Sequence, residues 1–299
     1  MDKNIFNIIK FVLGISIIIS LFYFIGFKEI CFALALFKLE YLPPIIILFL
    51  LFILMNAYNI KIMIDPFKKI KFENLLKYYC LGWTSSLFLP AKIGEFSISV
   101  FLKDKIEIGK TGAAIFMDKL ITFVISAVIA VIGLASFFNG EVILKTITVL
   151  VLCIAVLAVM MSNKGRLFIR RFILRKYAKN LTGFSKTFFS YFRSNRRPFL
   201  INILITLIKA VLTALFGYFI FLSLGTFVNP LVILAVGAVE TISILFPFTL
   251  NGLGVKQGIG IYIFHLAGIN PSIVAARYII GLIVRYLFGL FVILFIRLK

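Results

Sequence analysis

The chain has 299 residues, of which 62% are hydrophobic and only 14% charged, and its mean hydropathy is +1.13. A soluble domain of this length could not bury so much apolar surface, so the composition excludes that class and predicts a polytopic membrane protein. The formal net charge of +21 raises the question of nucleic-acid binding, and the distribution of the charges along the chain decides it.

Several unbroken apolar stretches are long enough to cross a bilayer, which takes roughly 20 residues. They are 5–27, 42–63, 111–138, 142–161, 199–224 and 271–296. The first stretch lacks a small-residue cleavage pattern, so we predict a membrane helix and not a removable signal. The expected fold class is therefore an all-α polytopic membrane protein with about six full transmembrane helices.

Two further apolar stretches, 75–102 and 229–270, are interrupted near the middle by residues that break helices. The breaking residues are Pro90, Gly94, Pro247, Gly252 and Gly254. A broken helix inside a bilayer must find partners for its freed backbone groups, so it usually lines a site or a path. We predict that both stretches are re-entrant hairpins, which enter and leave the membrane on the same side.

The basic residues concentrate in one segment. Between residues 164 and 197 there are eleven Lys or Arg and no acid. This asymmetry is typical of cytoplasmic loops, so we assign 162–198 to a basic cytoplasmic loop and both termini to the cytoplasm of a cell membrane. The loop could also collect anionic lipid headgroups. No base-stacking or groove-reading module accompanies the charge, so nucleic acid is excluded as a partner.

With this orientation, the chain divides into two repeat units. Residues 1–138 and residues 142–299 each contain two spans, a hairpin and one further span, and together they form a single membrane domain. Because each unit crosses the membrane an odd number of times, the two units must be inverted relative to each other. Transporters with inverted repeats bind substrate near the bilayer midplane, where the units meet.

Ionisable and amide side chains fall inside or beside the spans, where a charge costs about 2.5–3.5 kcal/mol on insertion scales. The predicted substrate-binding or translocation residues are Lys92, Glu95, Asp118, Lys209, Glu240, Asn251, Lys256, Gln257, Arg277 and Arg285. We expect the three acids to pair with the bases around a polar cavity and to leave some cations for an anionic group. Structural ion pairs that lock helices together are the alternative, with Lys119 and Lys209 extending to an interface.

Signals for catalysis or metal binding are weak. The cysteines Cys31, Cys80 and Cys153 stand singly, and His265 is the only histidine. A zinc site needs several such ligands at short spacing, so we predict no metal site and no cofactor. We expect the protein not to be an enzyme, and we place His265 at an interface on the returning arm of the second hairpin.

Three short motifs carry a family resemblance. Pro90-Ala-Lys-Ile-Gly-Glu95 resembles a Pro-x-x-x-Gly-Glu element, and Gly112-Ala-Ala followed by Asp118 resembles a small-residue helix that bears an acid–Arg pair. The segment 247–257 resembles a Pro…Gly-x-Gly-x-Arg-Glu element. In these motifs the chain is similar to the lysylphosphatidylglycerol synthase transmembrane-region family of flippase-like integral membrane proteins.

The resemblance implies a flippase that moves an aminoacylated phospholipid, or a role in polyprenyl-linked sugar or hopanoid pathways. The chain departs from the pattern at Lys119, where Arg is usual, and at Lys256-Gln257, where Arg-Glu is usual. The second departure removes a carboxylate and argues against a proton-coupled role for that motif. The soluble aminoacyl-transferase domain of the full-length synthases is missing, so we do not expect an aminoacylating enzyme.

We therefore predict a translocase that moves a phospholipid or a polyprenyl-phosphate-linked headgroup between leaflets. A membrane-embedded transferase acting on a lipid phosphate, with Glu95 or Asp118 as base or metal ligand, is one alternative. An accessory anchor for a separate glycosyl- or aminoacyl-transferase is another. The expected partners are anionic membrane lipids, and a homo-oligomer or a separate lipid-modifying enzyme remains open.

Overall fold

The computed structural model describes residues 22–89, 93–138, 183–244 and 251–296, together with the single positions 16, 19, 20, 140, 144 and 148. Every regular element in these ranges is helical, which confirms the predicted all-α polytopic fold. In chain order the α-helices are α1 (Phe27–Ala35), α2 (Leu42–Ile64), α3 (Phe72–Leu87), α4 (Ser97–Phe101), α5 (Ile108–Phe137), α6 (Phe184–Arg193), α7 (Arg196–Ser223), α8 (Pro230–Ile244), α9 (Val255–Leu266) and α10 (Pro271–Phe295). Short 3₁₀ helices at Leu39–Tyr41 and Ile93–Phe96 precede α2 and α4.

Four helical segments within the described ranges are long and apolar enough to cross a membrane. They are Leu39–Ile64, Ile108–Phe137, Arg196–Ser223 and Pro271–Phe295, with 26, 30, 28 and 25 residues. Each exceeds the roughly 20 residues that a bilayer core requires, so the chain is a multi-pass membrane protein. Most of the predicted spans 142–161 and 5–27 lies outside the described residues.

The spanning helices pack closely because small residues line their contacts. A Cβ atom added to Gly133 of α5 would lie 2.5 Å from the Cβ of Ala235 in α8, so these two helices touch nearly backbone to backbone. Small residues are what allows membrane helices to approach this closely, since lipid provides no hydrophobic drive for helix association. Helix α7 lies at the centre and contacts α2, α5, α8 and α10.

The chain folds back on itself after α3. This helix ends at Leu87, and the 3₁₀ helix that follows the undescribed residues 90–92 packs against the last turn of α3. A Cβ atom on Gly94 would lie 2.3 Å from the backbone nitrogen of Ser86, a distance that no side chain tolerates. The predicted break is thus a helix end followed by a close return. Pro90 and Lys92 lie outside the described residues.

The second predicted break separates α8 from α9. Helix α8 is described as far as Ile244, and the next described residues form a turn in which Asn251, Gly252 and Gly254 have φ angles of 48°, 71° and 83°. Positive φ favours glycine, which explains the two glycines at this turn. The backbone N–H of Gly254 donates to Oε1 of Gln257 at 2.8 Å and so caps the start of α9. Pro247 lies outside the described residues.

Helix α3 has 16 residues, so it is shorter than a full crossing of the bilayer. This length fits the arm of a hairpin. The entry of each hairpin from a particular face, and the repeat units 1–138 and 142–299, stay predictions.

Two segments that were predicted to be loops contain helices. Gly26, with a φ angle of 97°, separates the helical residues 22–25 from α1, so the segment after the first span is helical. Part of the predicted basic loop 162–198 is also helical, since it contains α6 and the first turn of α7. The Tyr191 phenol in α6 donates to the carbonyl oxygen of Met63 at 2.5 Å. Burial raises the pKa of Tyr191, so this donor keeps its proton.

Candidate functional site

Asp118 of α5 is the centre of a first buried cluster of polar side chains. Its Oδ1 accepts hydrogen bonds from Asn59 of α2 at 2.8 Å and from Asn202 of α7 at 3.1 Å. The Nζ of Lys209 lies 3.6 Å from the same oxygen, and the Nζ of Lys119 lies 3.2 Å from Oδ2. Asp118 is only 1% exposed, so these four partners replace the water that a carboxylate otherwise requires.

Glu95 connects the first fold-back to this cluster. It lies on the 3₁₀ helix Ile93–Phe96, is 1% exposed, and forms an ion pair with Lys119 at 2.5 Å. Lys209 also donates to the amide oxygen of Asn56 at 3.3 Å. Both lysines therefore point into the protein. The alternative interpretation, in which Lys119 and Lys209 extend to a membrane interface, is therefore wrong for these two side chains.

Glu240 of α8 is the centre of a second buried cluster. Its Oε2 lies 3.2 Å from the Nζ of Lys256 in α9, and its Oε1 lies 3.2 Å from the guanidinium of Arg277 in α10. The Tyr278 hydroxyl donates a short hydrogen bond to the same Oε1. The carboxylate thereby links α8, α9 and α10.

The Arg277 guanidinium is also held by aromatic rings. Its central carbon lies 5.3 Å from the centroid of the Phe221 ring, 5.2 Å from that of Phe264 and 4.8 Å from that of Tyr278. Such cation–π contacts stabilise a desolvated cation by about 2 kcal/mol or more. A Cβ atom on Gly217 would approach the guanidinium to 3.0 Å, so the bare backbone leaves the space that this side chain occupies.

Both clusters border one polar cavity of about 140 Å³. Lys119 and Lys209 line it from the first cluster, and Glu240 and Lys256 line it from the second. A water-sized site needs only about 10–15 Å³ by this measure, so the cavity has room for several water molecules. Asn251 lines it from the turn between α8 and α9, and its Oδ1 has no hydrogen-bond partner in the part of the chain that the structure describes.

The cavity carries an excess of positive charge. Arg285 lines it together with Lys256, and among the described residues Arg285 forms no ion pair with a carboxylate. Across the two clusters and Arg285, three carboxylates face five basic side chains, which gives a formal excess of two positive charges. The carboxylates are Glu95, Asp118 and Glu240, and the bases are Lys119, Lys209, Lys256, Arg277 and Arg285.

Most of the predicted site residues within the described ranges come together in this way. Gln257 does not face the main cavity, because its side chain caps α9. His265 lies in the last turn of α9 and is exposed, away from both clusters. No three His, Cys, Asp or Glu side chains gather as a metal site would require, in the ranges that the structure describes.

Several residues that complete the clusters were not predicted from the sequence. Lys119 was not among the predicted site residues, although it bridges two of the acids. Other missed residues are Asn56, Asn59, Asn202, Thr206 and Tyr278. A signal was present in the spacing, since Asn202, Thr206 and Lys209 lie four and three residues apart and therefore share one face of a helix.

The fold and the two clusters can be compared with known proteins. The sequence model of the family described as "Lysylphosphatidylglycerol synthase TM region" matches residues 7–293. The chain belongs to this family. In this member of the lysylphosphatidylglycerol synthase TM-region family, the match includes both clusters and both helix breaks, which confirms the resemblance seen in the motifs. Membership indicates a function related to membrane lipids. Comparisons with curated proteins and with solved structures gave no match.

Proposed function

We propose that the protein moves a lipid with an anionic, phosphate-linked headgroup between the leaflets of a prokaryotic cytoplasmic membrane. The observation that supports this proposal most directly is the cavity of about 140 Å³, which both ion-pair clusters border and in which bases outnumber acids. The lipid is a phospholipid or a polyprenyl phosphate, since both present the same phosphate group to the cavity.

A headgroup crosses a bilayer slowly because its charge must leave water. A single charged side chain at the bilayer centre already costs about 2.5–3.5 kcal/mol or more. A wet cavity with surplus cations removes much of this cost, because the phosphate exchanges hydration for charge-assisted hydrogen bonds. Arg285 is the best placed group for this exchange, since it borders the cavity and its planar guanidinium suits bidentate contact with phosphate oxygens.

The carboxylates have a different role in this proposal. Glu95, Asp118 and Glu240 each hold at least one base at 2.5–3.6 Å, so they keep the cations in place without a bound anion. Breaking one pair of this kind is strongly destabilising, because the remaining charge is left buried alone. The clusters thus hold the cavity open and polar between transport cycles.

Alternating access follows from the proposed arrangement of the hairpins. We place the first hairpin, with α3 as its first arm, as entering from the cytoplasm, and the second, formed by α8 and α9, as entering from outside. Both hairpin tips then face the shared cavity near the midplane, as in transporters built from inverted repeats. Single cysteines at the outer ends of the two hairpins, at positions 103 and 267, test this layout in a background without the native cysteines, since a membrane-impermeant thiol reagent should reach them from opposite sides. Labelling of both from the same side would refute it.

Reconstitution into vesicles tests the function itself. The purified protein is incorporated with a fluorescent phosphatidylglycerol, and an impermeant quencher reports how much of the lipid has changed leaflet. We expect faster exchange than in protein-free vesicles, with the lipid chemically unchanged on mass spectrometry. A modified lipid would instead indicate a transferase, and unchanged lipid without exchange would indicate an anchoring role.

A further inference from the structure

A second, apolar cavity lies between α1, α2 and α10. Its volume is about 610 Å³, within the range of small-molecule binding sites, and every side chain that lines it is apolar. Ile46 and Leu50 of α2 and Ile283 and Leu287 of α10 form its outer edge, with 41%, 41%, 51% and 61% of their surface exposed. We refer to this cavity as the chain groove.

We expect the open edge of the groove to lie in the hydrocarbon region of the membrane. Helices α2 and α10 belong to two of the spanning segments, so the exposed edge of the groove faces acyl or prenyl chains. A helix of another protein would gain no hydrophobic free energy here, because lipid tails are as apolar as the groove lining. A lipid chain gains none either, unless something else holds it in place.

A headgroup bound in the polar cavity would hold the chain in place, because the two cavities are neighbours. Phe49 and Phe288 line the chain groove, while Trp83 lines the polar cavity. The three rings contact one another edge to face, with centroid distances of 5.6 Å for Phe49–Trp83, 5.6 Å for Trp83–Phe288 and 5.3 Å for Phe49–Phe288. These three rings therefore lie between the polar cavity and the groove.

We propose that the chain groove binds one hydrocarbon chain of the same lipid whose headgroup enters the polar cavity, with Phe49, Trp83 and Phe288 as the boundary between the two. The inference rests on the proposed function for its headgroup. Once the headgroup is bound, the chain is held near the groove at a high effective concentration, so close packing alone is enough to keep it there.

Photochemical labelling of the full-length protein in vesicles tests this proposal. The probe is a phosphatidylglycerol with a diazirine in the middle of one acyl chain, and mass spectrometry locates the adducts. We expect adducts concentrated on residues 42–50 and 280–288. The comparison region is α7, whose exposed apolar residues Leu204 and Leu207 face hydrocarbon without lining the groove. Labelling spread evenly over all three regions would overturn the proposal.

Two tryptophan variants form a matched pair. Leu50 and Leu207 are both on spanning helices and are 41% and 43% exposed, but only Leu50 lines the groove. We expect Leu50→Trp to lower labelling of the groove about tenfold, which is about 1.4 kcal/mol, and Leu207→Trp to change it by less than about twofold. Equal labelling in both variants would contradict the proposal.

The variant Arg285→Gln tests whether the bound headgroup holds the chain in place, because it removes a cation from the polar cavity and Arg285 does not itself line the groove. Groove labelling should fall with this variant, and unchanged labelling would mean that the groove holds any neighbouring lipid, which overturns the inference. A lipid exchange measurement on the same vesicles separates the two proposals. If the expected labelling occurs without exchange, the transport proposal fails while the chain site stands.

Discussion

Neutralising Glu240 should destabilise the protein more than any other single removal of charge in the second cluster. Glu240→Gln keeps the size and an acceptor for Tyr278 but leaves Lys256 and Arg277 without their carboxylate. At 3.2 Å and an effective dielectric constant of 20, each of these attractions is about 5 kcal/mol before desolvation is counted. Measured losses from breaking buried pairs are about 3–5 kcal/mol, and we expect a value in this range.

The assay is thermal unfolding of the purified protein in nanodiscs. For a chain of 299 residues, each kcal/mol moves the midpoint by about 1.6 °C, so a loss of about 3–5 kcal/mol should lower it by about 5–8 °C. Glu107→Gln is the matched control, because Glu107 pairs with Lys110 at 2.8 Å with half of its side chain exposed, and such surface pairs contribute about 0–1 kcal/mol. The double variant Glu240→Gln, Lys256→Met should recover part of the loss. Equal midpoints for the Glu240 and Glu107 variants would refute the electrostatic reasoning.

Two glycines provide further predictions that use the same unfolding measurement. Gly260→Ala would place a Cβ atom 1.6 Å from the Tyr278 hydroxyl and displace it from Glu240, so we expect a loss of about 1–3 kcal/mol, whereas Gly237→Ala meets nothing within 4 Å and should not lower the midpoint. A Gly260 variant as stable as the Gly237 variant would contradict the geometry of the second cluster. Gly94→Ala would push the 3₁₀ helix Ile93–Phe96 away from the last turn of α3, so it should lower the midpoint by a similar amount. A midpoint equal to that of the wild type would show that this close approach does not form.

The long helices could be predicted from sequence because apolar length alone determines them. The predicted spans 42–63 and 271–296 agree with α2 and α10 to within one residue at each end. The two breaks were also predictable, since proline and glycine disrupt helices whatever their surroundings. Helix α1 was missed because it is short and lies between the predicted spans 5–27 and 42–63, where a loop was expected.

The candidate site was predictable only in part. Charged residues in apolar spans stand out in the sequence, so Asp118 and Glu240 could be named. Their partners depend on which helices are neighbours, as when Asn59 reaches Asp118 across 59 positions of the chain. Lys119 could have extended to an interface or turned inward, and only the position of Glu95 on the folded-back segment decides between these conformations.

The central claim is that surplus cations in the polar cavity carry a phosphate headgroup across the membrane. The most direct test compares leaflet exchange of fluorescent phosphatidylglycerol by the wild-type protein, by Arg285→Gln and by Arg197→Gln. Arg197 is an exposed base at the start of α7 and serves as the control for a lost positive charge. We predict rapid exchange by the wild type and the control, and a loss of about tenfold with Arg285→Gln, which corresponds to about 1.4 kcal/mol. Exchange that is the same for all three proteins, or no faster than in protein-free vesicles, would contradict the account.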